Sequence, residues 1–156
     1  MGQRHVMKAT FQRGAQIVEF AFVLPFLLII LFLIIDLGFL VYNKAVITNA
    51  SREAARSGAM LKATPWSTAA VAAVACAYAR NALITTGAGT RAADCSGTAD
   101  PVIVVLNPNG NVPPRFDDPI SVRITYRFSG FLLNRTVFSM NASMLDLSAA
   151  STMRHE

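Results

Sequence analysis

The feature that most constrains this chain is an apolar run with almost no charge in it. From Phe20 to Ile35 no residue is charged, Asp36 follows, and the next six residues, LGFLVY, are again uncharged. A hydrocarbon core of ~30 Å takes about 20 helical residues at ~1.5 Å each. Phe20 to Tyr42 has that length and encloses a single acid. In hydrocarbon every backbone amide must find its partner inside its own segment, so a lone span of this kind has to be a helix. The sequence therefore reads as a membrane-anchored chain with one span over about residues 20–42 and membrane lipid as its first partner.

The formal charge of +5 raises the question of nucleic acid, and the placement of the charge answers it. Residues 1–62 carry seven Lys/Arg against three acids, whereas residues 63–156 carry seven Arg against six acids. The basic excess flanks the span, where it meets lipid headgroups and biases orientation. It does not form a basic face that would track phosphates, and no nucleic-acid partner is expected. Arg4, Lys8 and Arg13 form a basic head that favours a cytoplasmic N-terminus. Lys44, Arg52, Arg56 and Lys62 lie on the other side, so charge alone leaves the orientation open.

Beyond Tyr42 the helical pattern continues. NKAVITNASREAARSGAM contains no Pro, and its one Gly, Gly58, comes near the end. Ala45, Thr48 or Asn49, Arg52 and Ala55 or Arg56 share one face, and Val46, Ala50, Glu53 and Ser57 share another. Small apolar side chains permit close packing of helices. One helix is predicted from about Gln16 to Leu61, ~70 Å long. Pro25 removes one of its hydrogen bonds and should bend or loosen it. Asp36 lies deep in the span, and an intramembrane acid is a functional candidate by default. Either it meets a cation on another helix or it marks the outer boundary of the hydrocarbon.

Thr64-Pro65 is a helix start signal, and PWSTAAVAAVACAYARNALI should form a second, Ala-rich helix with Val71, Val74, Tyr78 and Leu83 along one stripe. The period then changes. Val102–Leu106 is a short apolar run read as a strand, and Ile120–Phe128 alternates with Val122, Ile124, Tyr126 and Phe128 on one face. Val137–Leu147 alternates again, with Phe138, Met140, Ala142 and Met144 together, and is read as a third strand. Phe131-Leu-Leu133 between them is an apolar loop that could cap the sheet or touch the membrane or a partner, with core filling the first expectation. Asp117-Asp118 is a lone acidic pair in a proline-rich loop, expected to be a solvated turn, with a calcium site as the alternative. Three antiparallel strands with one apolar face need a helix over it. The expected fold is thus α+β and membrane-anchored: a long N-terminal helix, a second Ala-rich helix and a small three-stranded antiparallel sheet. The expected divisions are a leader at 1–14, the long helix at 15–62 and an extracytoplasmic headpiece at 63–156.

Gly14-Ala-Gln-Ile-Val-Glu19-Phe20 follows the basic head and opens the apolar helix. This resembles a class III, prepilin-type signal. The longer stretch RGAQIVEFAFVLPFLLIILFLIIDLGFLVYNKAVITNASREAARSGA resembles the N-terminus of TadE-like pilus assembly proteins, the pseudopilins of tight-adherence (Flp) pili. The matching features are the Gly-x-x-x-x-Glu-Phe region, Leu24-Pro25, Asp36-Leu37-Gly38 and the run Asn49-Ala-Ser-Arg52-Glu53-Ala54-Ala55-Arg56. Met153-Arg154-His-Glu156 is similar to the family's usual ending. The resemblance implies cleavage between Gly14 and Ala15 by a prepilin peptidase at the cytoplasmic face of the bacterial inner membrane. It implies processing and assembly roles for Glu19 and Phe20, and other pilins as partners. Helix packing in assembly then involves Glu19, Pro25 and Asp36. On the residues themselves, a carboxylate at the edge of an apolar helix is costly unless paired or solvated. After such a cut Glu19 lies one turn from a new ammonium group; otherwise it sits in the headgroup layer.

Cys76 and Cys95 both follow the span, without a CxxC or a nearby His that would point to zinc or redox chemistry. Outside the cytoplasm they would form a disulfide; the alternative is two buried thiols. The histidines, His5 and His155, lie near the two ends of the sequence, and no GxSxG, HExxH, Walker A or dinucleotide loop is present. No enzymatic activity, cofactor, metal or small-molecule substrate is expected. Three functions remain: first a pseudopilin that helps assemble a Flp pilus, then an uncleaved bitopic anchor carrying a periplasmic binding or adhesion domain, and third a cell-surface secretion component that uses the same peptidase.

Overall fold

The computed structural model describes residues 12–60, 66–84, 95, 101–132 and 146–156. Its architecture is α+β: a long helix, a second helix and a three-stranded antiparallel sheet. Helix α1 runs unbroken from Gln12 to Ala59, 48 residues or ~72 Å at 1.5 Å per residue. Pro25 lies inside it without ending it. From Gln16 to Phe32 every side chain is exposed. This half of α1 is long and apolar enough to cross a membrane. The second half is the spine of the headpiece, burying Val46, Ile47, Ala50, Ser51, Ala54 and Ala55 on one face. Of the second face predicted for it, Val46 and Ala50 are buried, while Glu53 is exposed.

Helix α2, Thr68–Ala82, is capped by Ser67, whose side chain accepts a hydrogen bond from the Ala70 N–H at 3.1 Å. It starts at this cap, a few residues after Thr64-Pro65, which lie outside the described residues. Its buried stripe is Val71, Ala75, Ala79 and Leu83, while Val74 is half-buried and Tyr78 exposed. The expected stripe through Tyr78 is thus turned by one position. The reason is close approach: α1 presents Ala50, Ala54 and Ala55 to the same core cluster, and small side chains let two backbones come together there. At Gly58 even a methyl group would stand 3.1 Å from a Val71 methyl.

The strands are β1, Val102–Leu106; β2, Pro119–Arg127; and β3, Asp146–Arg154, in the order β1-β2-β3. Ile124 pairs with Ile103 on one side and Ala149 on the other; Tyr126 pairs with Leu147. This alternation puts Ile120, Val122, Ile124 and Tyr126 wholly inside, against the helices. The third strand, β3, shares only Asp146 and Leu147 with the stretch 137–147 predicted for it and continues to Arg154; residues 137–145 lie outside the described residues. β3 is built of Ser, Ala and Thr because α1 lies directly against it. Lys44 Nζ donates to the Ser148 carbonyl, the Ser51 and Ser151 hydroxyls are 2.9 Å apart, and Glu156 N–H donates to the Ala59 carbonyl at 2.9 Å. β3 therefore runs in the same direction as α1, away from the apolar half. A Cys76–Cys95 disulfide closes a loop of 19 residues against α2.

Candidate functional site

Two polar residues on α1 fasten it to the headpiece, and each has its partners far away in sequence. Asp36 is fully buried. Its Oδ1 accepts the Phe131 N–H at 2.8 Å and its Oδ2 accepts the Leu132 N–H at 2.7 Å. Two backbone donors on one carboxylate form an anion nest of the kind that loops use elsewhere for bound anions. The loop comes so close that a Cβ on Gly130 would lie 2.6 Å from the carboxyl carbon. Gly130 is thus required by contact. Phe131, expected in the core, is instead 54% exposed and tilts against Phe32 of the span, ring centroids 6.2 Å apart.

Two turns further along α1, Asn43 is also fully buried. Its Nδ2 donates to the Ile84 carbonyl at 2.7 Å and its Oδ1 accepts the Ile84 N–H at 2.9 Å. One amide thereby satisfies both backbone groups of the residue that leaves α2. Trp66, ahead of α2, donates its indole N–H to the Gly58 carbonyl at 3.0 Å. Neither Asn43 nor Trp66 is singled out by sequence pattern, since their partners lie in other elements.

At the opposite end Asp118 is buried rather than solvated. It accepts hydrogen bonds from Asn109, from Asn111 at 2.8 Å and from the Arg115 N–H at 2.7 Å. These donors, the Asn111 amide foremost, hold its carboxyl below the usual carboxylate range. Asp117 pairs with Arg154 at 2.6 Å. The acidic pair is therefore a latch that ties the loop 107–118 to the end of β3.

The residues expected to direct processing stand apart from this framework. Gly14 is helical and open, with room for a side chain, and Phe20 is 64% exposed. Glu19 lies one turn from Ala15 on α1 and is exposed. Among the described residues no group of three or more His, Cys, Asp or Glu is placed to hold a metal.

An apolar helix that fits a membrane anchor and continues without a break into an α+β headpiece defines the class of protein. Within this chain, residues 14–56 match the family model of TadE-like proteins. The N-terminal segment is thus similar to that of TadE-like proteins, over less than a third of the chain. The match ends within α1, before α2 and the sheet. No curated protein and no solved structure matches the chain.

Proposed function

We propose that this chain is a minor pseudopilin of the Tad (Flp) pilus system. It inserts in the bacterial inner membrane with its N-terminus cytoplasmic, is cut between Gly14 and Ala15 by a prepilin peptidase, and assists pilus assembly by packing its helix against other pilins. It works through contact and carries out no chemistry of its own. The observation that carries this reading is the bare apolar half of α1 joined rigidly to a headpiece, in a segment that matches the TadE-like model from Gly14 onward. A surface of this kind is covered by lipid before assembly and by neighbouring helices within it.

In this mechanism the peptidase reaches Gly14 because the backbone there is unobstructed. The cut creates an ammonium group at Ala15. Glu19 of one subunit pairs with that group on its neighbour, which removes two charges from the apolar surroundings together. Pro25 leaves the carbonyl one turn earlier without its helical partner, so the helix can give there as subunits pack. Phe20 lies on the lipid-facing surface beside Glu19 and contributes to both steps. Glu19→Leu tests the proposal in cells: the protein still enters the membrane fraction, and pili are lost. Normal piliation with that variant as the sole copy would remove the assembly role and favour an uncleaved anchor with a periplasmic binding domain.

A further inference from the structure

The Asp36 nest fixes how deep the headpiece sits. From Gln16 to Leu31 every side chain of the helix is exposed, and Leu37, Val41 and Tyr42 remain exposed further along. A hydrocarbon core of about 20 helical residues counted from Glu19 reaches Gly38. Asp36 therefore lies within the last turn of the hydrocarbon. A carboxyl group at that depth is unfavourable against lipid, and its two oxygens instead meet backbone N–H groups at 2.7 and 2.8 Å. Groups this close to Asp36 share its depth. The Phe131 ring, 54% exposed and against Phe32, points from that same level outward. Arg127, three residues from Gly130, pairs with the exposed Asp146 at 3.3 Å where β2 ends and β3 begins, a polar pair suited to the headgroup side.

We infer that Gly130–Leu132 is a second membrane contact of this protein, its Phe131 ring lodged at the acyl-chain boundary of the leaflet on the headpiece side, with lipid as the partner. The loop shields Asp36 from lipid with its backbone and offers lipid an aromatic ring in return, the residue type that membrane interfaces favour. The headpiece is then seated in the bilayer surface, and entry into a filament requires this loop to leave lipid along with the span.

The inference rests on α1 being a membrane span, and the test separates the two. The full chain carrying Trp66→Phe with either Phe131→Trp or Phe26→Trp is placed in vesicles of phosphatidylcholine and phosphatidylglycerol with or without bromine on the acyl chains. Both tryptophans should lose more than half of their emission in the brominated vesicles, and iodide in the outside buffer should leave both nearly unchanged. Quenching at 26 with none at 131, and with iodide reaching 131, would overturn the second contact while leaving the span intact. No quenching at either position would overturn the span and the contact with it. If Phe131→Trp fails to form the Cys76–Cys95 bond, p-cyanophenylalanine at 131 gives the same readout with a smaller change of shape.

Discussion

At the scale of single residues, Asp36 and Gly130 form one unit separated by more than ninety positions of chain. Gly130→Ala places a methyl group against the carboxyl of Asp36, so the loop must withdraw and two hydrogen bonds to a buried acid are lost. The headpiece should lose about 2 kcal/mol of stability, read as a lower melting temperature in detergent. Gly38→Ala meets no neighbour and should cost nothing, which makes it the control. Asn43→Ala strips both backbone groups of Ile84 of their partner and should cost about 2 kcal/mol or more by the same measurement. Asp118 makes a prediction about acid. Its folded-state pKa is lowered, so the stabilisation it gives is complete above the ordinary carboxylate value of about 4 and disappears as pH falls through the folded value. Melting temperature should therefore drop on acidification below that value, and Asp118→Asn should flatten the drop. None of these roles was legible in the sequence. An Asp in a span, an Asn after a Tyr and an acidic pair among prolines name no partners: those of Asp36 and Asn43 are backbone groups of distant segments, and those of Asp118 are amides brought round by the folding of its own loop.

At the scale of elements, the two helices and two of the strands are legible as apolar runs between breakers, and in β2 the apolar spacing also matches burial. Ile120, Val122, Ile124 and Tyr126 alternate in sequence and all lie inside. β3 escaped notice for a physical reason. Its inward residues include Ala149 and Ser151, and small side chains there accommodate α1 rather than advertise a strand. Alternation seeks large apolar residues, so it favoured the neighbouring stretch 137–147. The stripe on α2 shifted for the same reason, with Ala75 and Ala79 buried in place of Tyr78. The disulfide was readable as one of two outcomes for a pair of cysteines, and the structure forms it. Cys76→Ser removes a cross-link across 19 residues and should lower headpiece stability by about 3 kcal/mol in the chain-entropy model. Thermal melts under oxidising conditions that coincide for the variant and the parent chain would show the bond contributes nothing.

At the scale of the whole molecule, one helix serves two solvents. Its first half presents apolar side chains outward on every side, and its second half hides them against α2 and the sheet. The headpiece core is therefore incomplete without α1. A fragment spanning residues 38–156 should be soluble and fold with its disulfide formed, whereas one spanning 61–156 should expose the inner face of the sheet and fail to fold; circular dichroism and thiol titration distinguish the two. Such a rigid joint also means that force applied to the anchor reaches the headpiece directly. That is the mechanical property a helix-packed assembly component needs, and the match over residues 14–56 covers the part of α1 that would supply it. The central claim is that this anchor is processed and packed as a pseudopilin's is. Its most direct test is the intact mass and N-terminal sequence of the protein taken from native membranes that hold an active prepilin peptidase. The account predicts an N-terminus at Ala15; an N-terminus at Met1 or Gly2 would contradict it.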